Sequence, residues 1–275
     1  MAEPTLSPAA AIVRRYDPDL FQAALFAPEP ARERLMVLYA FDIELSRAVQ
    51  RADRVDAGPI IARMRLQFWR DVVAGEGVER HEVAGPLAAL IADGVVRRDL
   101  LEGLIEAREM ELAVPFDRAQ FDGWLDARFG GLTRLAKGVL VAEAGSEAAK
   151  SAGRACGIAF VLRQAATMAA HSGGSLLPDL DDGARLSLAR GETGEALRRV
   201  AKGLAEEGLA ALSSARADRG KLGRAAAPAF LHLWRAERDL KAALRPDFDF
   251  VTGFAAPDGA RRAINLLSRA LTGRW

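Results

Sequence analysis

The sequence has a single cysteine and only three histidines among its 275 residues. One cysteine excludes a disulfide framework and a cysteine-based zinc site, and three widely spaced histidines do not form a histidine metal cluster. Neither charge predominates, because 38 Lys and Arg stand against 37 Asp and Glu. A net charge of +1 gives no overall basic field for phosphates, so we expect no nucleic-acid partner.

Long hydrophobic runs are also missing. No segment reaches the ~18–20 uncharged apolar residues that span a bilayer. The chain begins Met-Ala-Glu-Pro, with an early acid and no apolar core behind a basic start, which argues against a secretory signal. We expect a cytoplasmic protein that can still lie peripherally at the inner membrane. Its Arg- and Ala-rich composition, with no transit peptide, favours a bacterial source.

Residues that favour β-strands are scarce. Val, Ile and Thr together number 30, whereas Ala numbers 55 and Leu 35. Ala and Leu are the strongest helix formers, and apolar residues recur three or four positions apart, as at Leu35, Leu38 and Phe41. The sequence therefore predicts an all-α protein.

Glycine, proline and capping residues divide the chain into helical segments. We expect one domain, residues 1–275, of ten or more helices, with about the first 13 residues flexible. The longest predicted non-helical segment is 171–183. The main predicted helices span about 31–51, 146–170, 192–216, 228–244 and 257–271.

Two acidic groups have both a structural and a functional interpretation. Asp53 and Asp56, three apart, could bind a metal ion from one helical face, but a solvated, ion-paired helix end is the simpler explanation. Asp181 or Asp182 is expected to cap a helix. A calcium loop starting at Asp179 is disfavoured because its closing position carries an arginine.

Three other local patterns predict a helix cap, a close contact between helices and a solvent-facing side. Asp99 is expected to cap a helix that ends before Pro115. Gly153 and Gly157, one helical turn apart, favour the close approach of a second helix. A charged, solvent-facing side is expected opposite Leu104 and Ile105. It comprises Glu106, Arg108, Glu109 and Glu111.

Six short blocks occur in a fixed order along the chain. They are Leu20-Phe-Gln-Ala-Ala-Leu-Phe-Ala-Pro28, Arg32–Phe41, Gln67-Phe-Trp69, Ile105–Leu112, Gly157-Ile-Ala159 and Leu176-Leu-Pro178. In order and spacing they resemble the squalene/phytoene synthases over roughly residues 14–250. The resemblance implies an isoprenoid-synthase fold, a helical bundle around a central apolar cavity.

Active members of that family join two prenyl diphosphates head to head. The resemblance implies two Asp-rich helical motifs whose carboxylates hold Mg²⁺ ions on the diphosphate. In this sequence the four corresponding positions carry no carboxylate. They are Ser46, Gln50, Met168 and Ser172. We therefore expect the family reaction to be lost or very weak, and no cofactor to be bound; Mg²⁺ enters only if the protein is an active enzyme.

A second set of blocks resembles one branch within the family. The blocks are Phe41–Leu45, Met64–Trp69, Leu162-Arg163 and Pro246–Phe250. They resemble the non-catalytic branch of assembly factor 6 for respiratory complex I. The resemblance implies a pseudoenzyme that assists assembly of a respiratory complex through protein partners, a membrane surface, or both.

Two other hypotheses remain open. One is an active head-to-head prenyl transferase of the squalene/phytoene synthase type, which would require Asp53 or Asp56 to bind metal. The other is a protein that holds an isoprenoid or another lipid in the cavity without chemistry. Pyrophosphate release from prenyl diphosphates would distinguish an active transferase from a pseudoenzyme or a lipid-binding protein.

The resemblance also predicts which side chains line the cavity. Arg163 is expected either to pair with Asp42 or Glu44 across the cavity or to point to solvent, because a charge beside an apolar cavity must be paired or solvated. The predicted lining residues are Tyr39, Phe41, Asp42, Leu45, Phe160, Arg163 and Gln164.

Overall fold

The computed structural model describes residues 6–50, 58–76, 81–141, 146–172, 175–254 and 259–275, and these contain helices and no strand. The α-helices are α1 Pro8–Tyr16, α2 Pro18–Ala24, α3 Ala31–Gln50, α4 Gly58–Ala74, α5 Ala84–Ala92, α6 Arg98–Met110, α7 Arg118–Leu125, α8 Gly131–Leu140, α9 Ser146–Ser172, α10 Asp182–Ala189, α11 Glu195–Ala217, α12 Arg219–Leu222, α13 Leu233–Ala243 and α14 Gly259–Thr272. A π-helical turn spans Asp126–Gly130, and 3₁₀ turns span Glu111–Ala113 and Arg224–Ala229. The predicted all-α class is confirmed.

The long helix α9 lies at the centre of the bundle. It contacts α7, α8, α10, α11 and α13 as well as the π-helical turn. Gly153 and Gly157 allow the close approach of that turn, as their spacing predicts. A Cβ on Gly153 would lie 2.3 Å from the carbonyl oxygen of Phe129, and one on Gly157 would lie 2.5 Å from a methyl carbon of Leu125. The π-helical turn therefore rests directly on α9.

Helix α3 is a second long helix that is mostly buried in the core. Eleven of its twenty residues are buried, among them Leu35, Leu38 and Tyr39. It packs against α1, α4, α5, α6 and α8, which accounts for burial around most of its circumference. The predicted span of 31–51 agrees with the observed one to within a residue, although position 51 lies outside the described residues.

Several helix ends follow from capping side chains. The carboxylate of Asp117 accepts the N–H of Gln120 at 2.8 Å, and the Gln120 side chain accepts the N–H of Asp117 at 3.0 Å, which completes a capping box. Asp181 accepts the N–H of Ala184 at 2.7 Å and caps α10, as predicted. The prediction for Asp99 was wrong: α6 begins at Arg98, so Asp99 lies in the first turn and pairs with Arg97.

Two short helices are not among the main predicted spans. Helix α1 begins at Pro8, is capped by Ser7, and buries Ala9, Ala10 and Val13 against the bundle. Helix α10 begins at Asp182, inside the segment 171–183 that was predicted to be non-helical, and α9 extends into the same segment as far as Ser172. Both are too short for an apolar period to stand out, and tertiary contacts stabilise them. No helix of the described part of the chain combines the length and the hydropathy that crossing a bilayer requires.

Candidate functional site

A cavity of about 140 Å³ lies between helices α3 and α9 and their neighbours. Its wall is built by α2, α3, α8, α9, α13 and the π-helical turn. The apolar part of the wall comprises Leu20, Phe129, Leu132, Phe160 and several alanines. Charged side chains complete it, and all of them except Asp17 belong to two ion-paired clusters.

The first cluster joins α3, α6 and the π-helical turn. Arg108 donates one hydrogen bond to Asp42 at 2.8 Å and contacts Glu111 at 3.3 Å. Asp42 and Glu111 raise the pKa of the Arg108 guanidinium against the opposing effect of burial. Arg108 is a buried cation held by two carboxylates, so it stays charged and ties α6 to α3.

Arg128 adds a second buried cation to the first cluster. Its guanidinium lies 3.0 Å from Glu111 and 4.5 Å from the ring centres of both Phe129 and Phe160. Burial, followed by the charge of Arg108, lowers the pKa of Arg128 to about 10. The side chain therefore remains protonated at neutral pH, and cation–π contacts replace part of its lost hydration. Glu111 also accepts the indole N–H of Trp124 at 3.1 Å.

The second cluster joins α2, α9, α13 and α14. Arg163 donates a hydrogen bond to Asp239 at 2.9 Å. Arg235 pairs with Asp19 and lies 3.8 Å from Asp239, so it links the two carboxylates. Arg262 lies 2.8 Å from Asp19 on its other side. Ion pairs thus fasten the central helix to the C-terminal helices.

Four titratable side chains at the cavity lie outside both clusters. Burial raises the pKa of Asp17, of Tyr39 and of Cys156, whose thiol reaches about 12. Burial lowers the pKa of His232 to about 4. Tyr39, Cys156 and His232 are therefore neutral near pH 7. Asp17 also accepts the N–H of Leu20 at 3.0 Å and so caps α2.

The structure brings four of the seven predicted lining residues to the cavity and three elsewhere. Tyr39, Asp42, Phe160 and Arg163 line it. Phe41 is fully buried on a different side of α3, where its ring centre lies 5.2 Å from that of Trp69. Leu45 is also fully buried away from the cavity, and Gln164 is not among the lining residues. Phe41 is two residues from Tyr39 on a helix and thus faces roughly the opposite way, so its prediction was wrong.

Arg163 was predicted either to pair with Asp42 or Glu44 or to point to solvent, and neither alternative holds. Asp42 is engaged by Arg108, and Glu44 pairs with Arg47 one turn further along α3. Arg163 instead reaches Asp239 on α13, a helix that packs directly on α9. The nearest acid on a contacting helix satisfies the charge, so Arg163 does not bridge the cavity.

The positions predicted from the resemblance to match the family's carboxylates carry neutral groups, and the structure describes contacts for three of them. The amide of Gln50 donates to the hydroxyl of Ser46 at 3.3 Å. Met168 is half-buried and packs against the core. Ser172 is the last residue of α9, and its side chain, like Asp53 and Asp56, lies outside the described residues. Within the described ranges, no three His, Cys, Asp or Glu side chains are grouped to hold a metal ion.

Neither buried arginine of the first cluster was predicted to be buried. Arg108 was assigned to a solvent-facing side, yet it is 2% exposed. Its position could have been inferred, because Arg108 follows Leu104 by four residues and Ile105 by three, which is the spacing of a shared helical face. No comparable signal marks Arg128, because the π-helical turn sets its direction.

A helical bundle with a cavity between two long central helices is the architecture of the isoprenoid-synthase-like fold. The structure of a dehydrosqualene synthase bound to a ligand superposes with a TM-score of 0.77 at 14% identity, covering 96% of this chain and 94% of that one. The squalene synthase HpnC from Alicyclobacillus acidocaldarius gives 0.69 at 16% identity, covering 85% and 90%. At such identities the likeness shows the fold alone.

The chain belongs to the squalene/phytoene synthase family, whose model matches residues 13–266. A relative in Drosophila melanogaster, named as a homolog of assembly factor 6 of NADH dehydrogenase (ubiquinone) complex I, is 27% identical over 168 residues. That match covers 55% of this chain, and the chain spans about half, 48%, of the relative's length.

Proposed function

We propose that this protein does not catalyse prenyl transfer and instead assists the assembly of respiratory complex I by binding protein partners. The observation that carries the proposal is the state of the carboxylates at the cavity. Asp42 is bound by Arg108, Asp19 is bound by Arg235 and Arg262, and Asp17 accepts the N–H of Leu20 as the cap of α2. These acids are committed to the fold, so they are not available as ligands.

The residues at the positions predicted to match the family's carboxylates do not fit Mg²⁺ and a diphosphate. Mg²⁺ takes oxygen ligands, usually from one or two carboxylates together with the substrate phosphates. Ser46 and Gln50 offer a neutral hydroxyl and amide that are hydrogen-bonded to each other, and Met168 offers a thioether, which is a soft ligand. We therefore derive no metal-dependent step and propose no cofactor for this protein.

The likeness to the fly protein supports the assembly role. That relative is named as a complex I assembly factor homolog, and the match covers more than half of this chain. An assembly role requires a stable scaffold with a partner surface and needs no turnover. The paired buried charges on both sides of the cavity are consistent with such a scaffold.

A second candidate function is the binding of an isoprenoid or another lipid without chemistry. The cavity of about 140 Å³ and its apolar wall support it, because a cavity of that size and character accommodates part of an apolar ligand. The lining arginines are already paired with carboxylates, so this candidate favours a neutral ligand over a diphosphate.

Deletion of the gene in its host tests the assembly proposal. We expect less assembled complex I on native gels and lower NADH-dependent quinone reduction, with both restored by the wild-type chain. The double variant Asp53→Asn/Asp56→Asn should restore them equally, because it removes only the candidate metal ligands. Normal complex I in the deletion strain, together with loss of an isoprenoid product, would overturn the proposal in favour of an enzyme.

A further inference from the structure

The C-terminal helix α14 carries an apolar face that the rest of the protein covers only in part. Leu266 is 1% exposed and packs with Ala23, Leu231 and Trp234. Three other large aliphatic side chains of the helix point to solvent. They are Ile264, Leu267 and Leu271, which are 68%, 51% and 71% exposed. At ~100° per residue these three lie within ~60° of one another, and we call them the α14 stripe.

Ion pairs fix the orientation of this helix. Arg262 lies 2.8 Å from Asp19, and Arg269 lies 3.1 Å from Glu237. Both pairs are on the same side of the helix as Leu266, so α14 cannot roll to bury its stripe without breaking them. The stripe therefore stays exposed in the folded chain.

The surface near the stripe is apolar and positively charged. Residues 259–275 contain four arginines and no acidic residue, although Arg262 and Arg269 are paired with acids on the side of the helix away from the stripe. Arg274, just beyond Leu271, is exposed, and exposed Arg224 lies against Gly273. Helix α2, on which α14 packs, is followed by the exposed side chains of Leu25 and Phe26.

We propose that the α14 stripe binds the surface of an anionic lipid bilayer. A helix that segregates aliphatic residues from polar ones and carries arginines without acids is typical of helices that lie in the membrane interface. Cations at its end would then meet anionic headgroups. An interface with another protein would instead be expected to carry aromatic side chains at its centre, and α14 has none.

Helix α4 offers a matched comparison within the same chain. Ile60 and Met64 are 63% and 68% exposed, one turn apart. Their surroundings are of mixed charge, because Arg63 and Arg70 both pair with Glu109. If apolar exposure alone drove membrane binding, the two helices would contribute equally. The proposal assigns binding to α14, because the exposed Arg224 and Arg274 near its stripe form no ion pair within the described residues.

Cosedimentation with vesicles tests the proposal on the full-length protein. We expect binding to vesicles of phosphatidylglycerol and phosphatidylethanolamine, weak binding to phosphatidylcholine alone, and a loss of binding as salt rises. Leu267→Ser/Leu271→Ser should weaken binding by about tenfold or more, whereas Ile60→Ser/Met64→Ser should leave it unchanged. Thermal unfolding of each variant verifies that both are folded, since these side chains are exposed.

Three results would overturn the proposal, which does not depend on the assembly role. The wild-type chain could fail to bind the anionic vesicles. The α4 variant could lose as much binding as the α14 variant. Light scattering could show a dimer that Leu267→Ser/Leu271→Ser converts to a monomer, in which case a second copy of the chain covers the stripe.

Discussion

The two charged clusters of the cavity wall bury opposite signs of charge. In the first cluster the cations are inside: Arg108 and Arg128 are 2% and 6% exposed, while Asp42 and Glu111 are 16% and 11% exposed. In the second cluster the anions are the more deeply buried partners.

Asp239 and Asp19 are 3% and 6% exposed, and their arginine partners are 15–35% exposed. A buried charge is costly mainly when its partner is removed, so each cluster should be most sensitive to loss of the partners of its buried members.

Glu111→Gln should have the largest effect, because Glu111 contacts both buried arginines of the first cluster. With Glu111 neutral, Arg128 has no carboxylate of the described residues within ion-pair distance. We expect the free energy of unfolding to fall by about 3–5 kcal/mol, measured by urea denaturation. Glu106→Gln, on the exposed side of α6, is the control and should change little. A small effect of Glu111→Gln would mean that solvent reaches the first cluster.

Arg163→Ala should cost less, because Asp239 keeps two other cations within reach. Arg235 and Arg238 lie 3.8 and 3.7 Å from its carboxylate. We expect a loss of about 2–3 kcal/mol by thermal unfolding, and a much smaller loss when Asp239→Leu is combined with Arg163→Met. The double variant could instead be less stable than either single variant. The buried charges of this cluster would then be net stabilising, and the claim that stability is lost mainly by stranding a buried charge would be wrong.

His232, beside the second cluster, should make stability depend on pH. Its pKa is about 4 in the folded protein and about 6.5 when unfolded, so the unfolded state binds the proton more strongly. Stability linked to His232 is complete above pH 6.5 and is lost as the pH falls from 6.5 to 4. We expect the wild type to lose about 3 kcal/mol more than His232→Gln over this range. Parallel pH profiles for the two proteins would contradict the burial of His232.

Arg199→Ala should have the smallest effect. Its partner Glu195 lies 3.8 Å away, and both side chains are more than three-quarters exposed. Screened pairs of this kind contribute little, so we expect a change within about 0.5 kcal/mol. A loss as large as that of Arg163→Ala would show that arginine removal destabilises this protein by some route other than stranding a buried carboxylate.

The sequence allowed prediction of elements whose physics is local. The span of α3 follows from its apolar spacing, the cap of α10 from Asp181, and the close contact of the π-helical turn from Gly153 and Gly157. Cavity residues were predicted less well. Tyr39 faces the cavity, but Phe41 lies on a different face of the same helix and packs against Trp69.

Charge pairing was the hardest feature to infer. Asp42 and Arg108 are separated by 66 residues, and Arg163 and Asp239 by 76. The sequence indicates that a charge on a core-facing position needs a partner, but the choice among several acids depends on which helices touch. Arg128 depends further on a π-helical turn, which no propensity marks.

Pyrophosphate release tests the central claim of a non-catalytic family member most directly. The purified chain would be incubated with farnesyl or geranylgeranyl diphosphate and Mg²⁺, with an active dehydrosqualene synthase as the positive control. We predict no release above the rate without protein, and the same null result for Asp53→Asn/Asp56→Asn. Magnesium-dependent release by the wild type that the double variant abolishes would contradict the account.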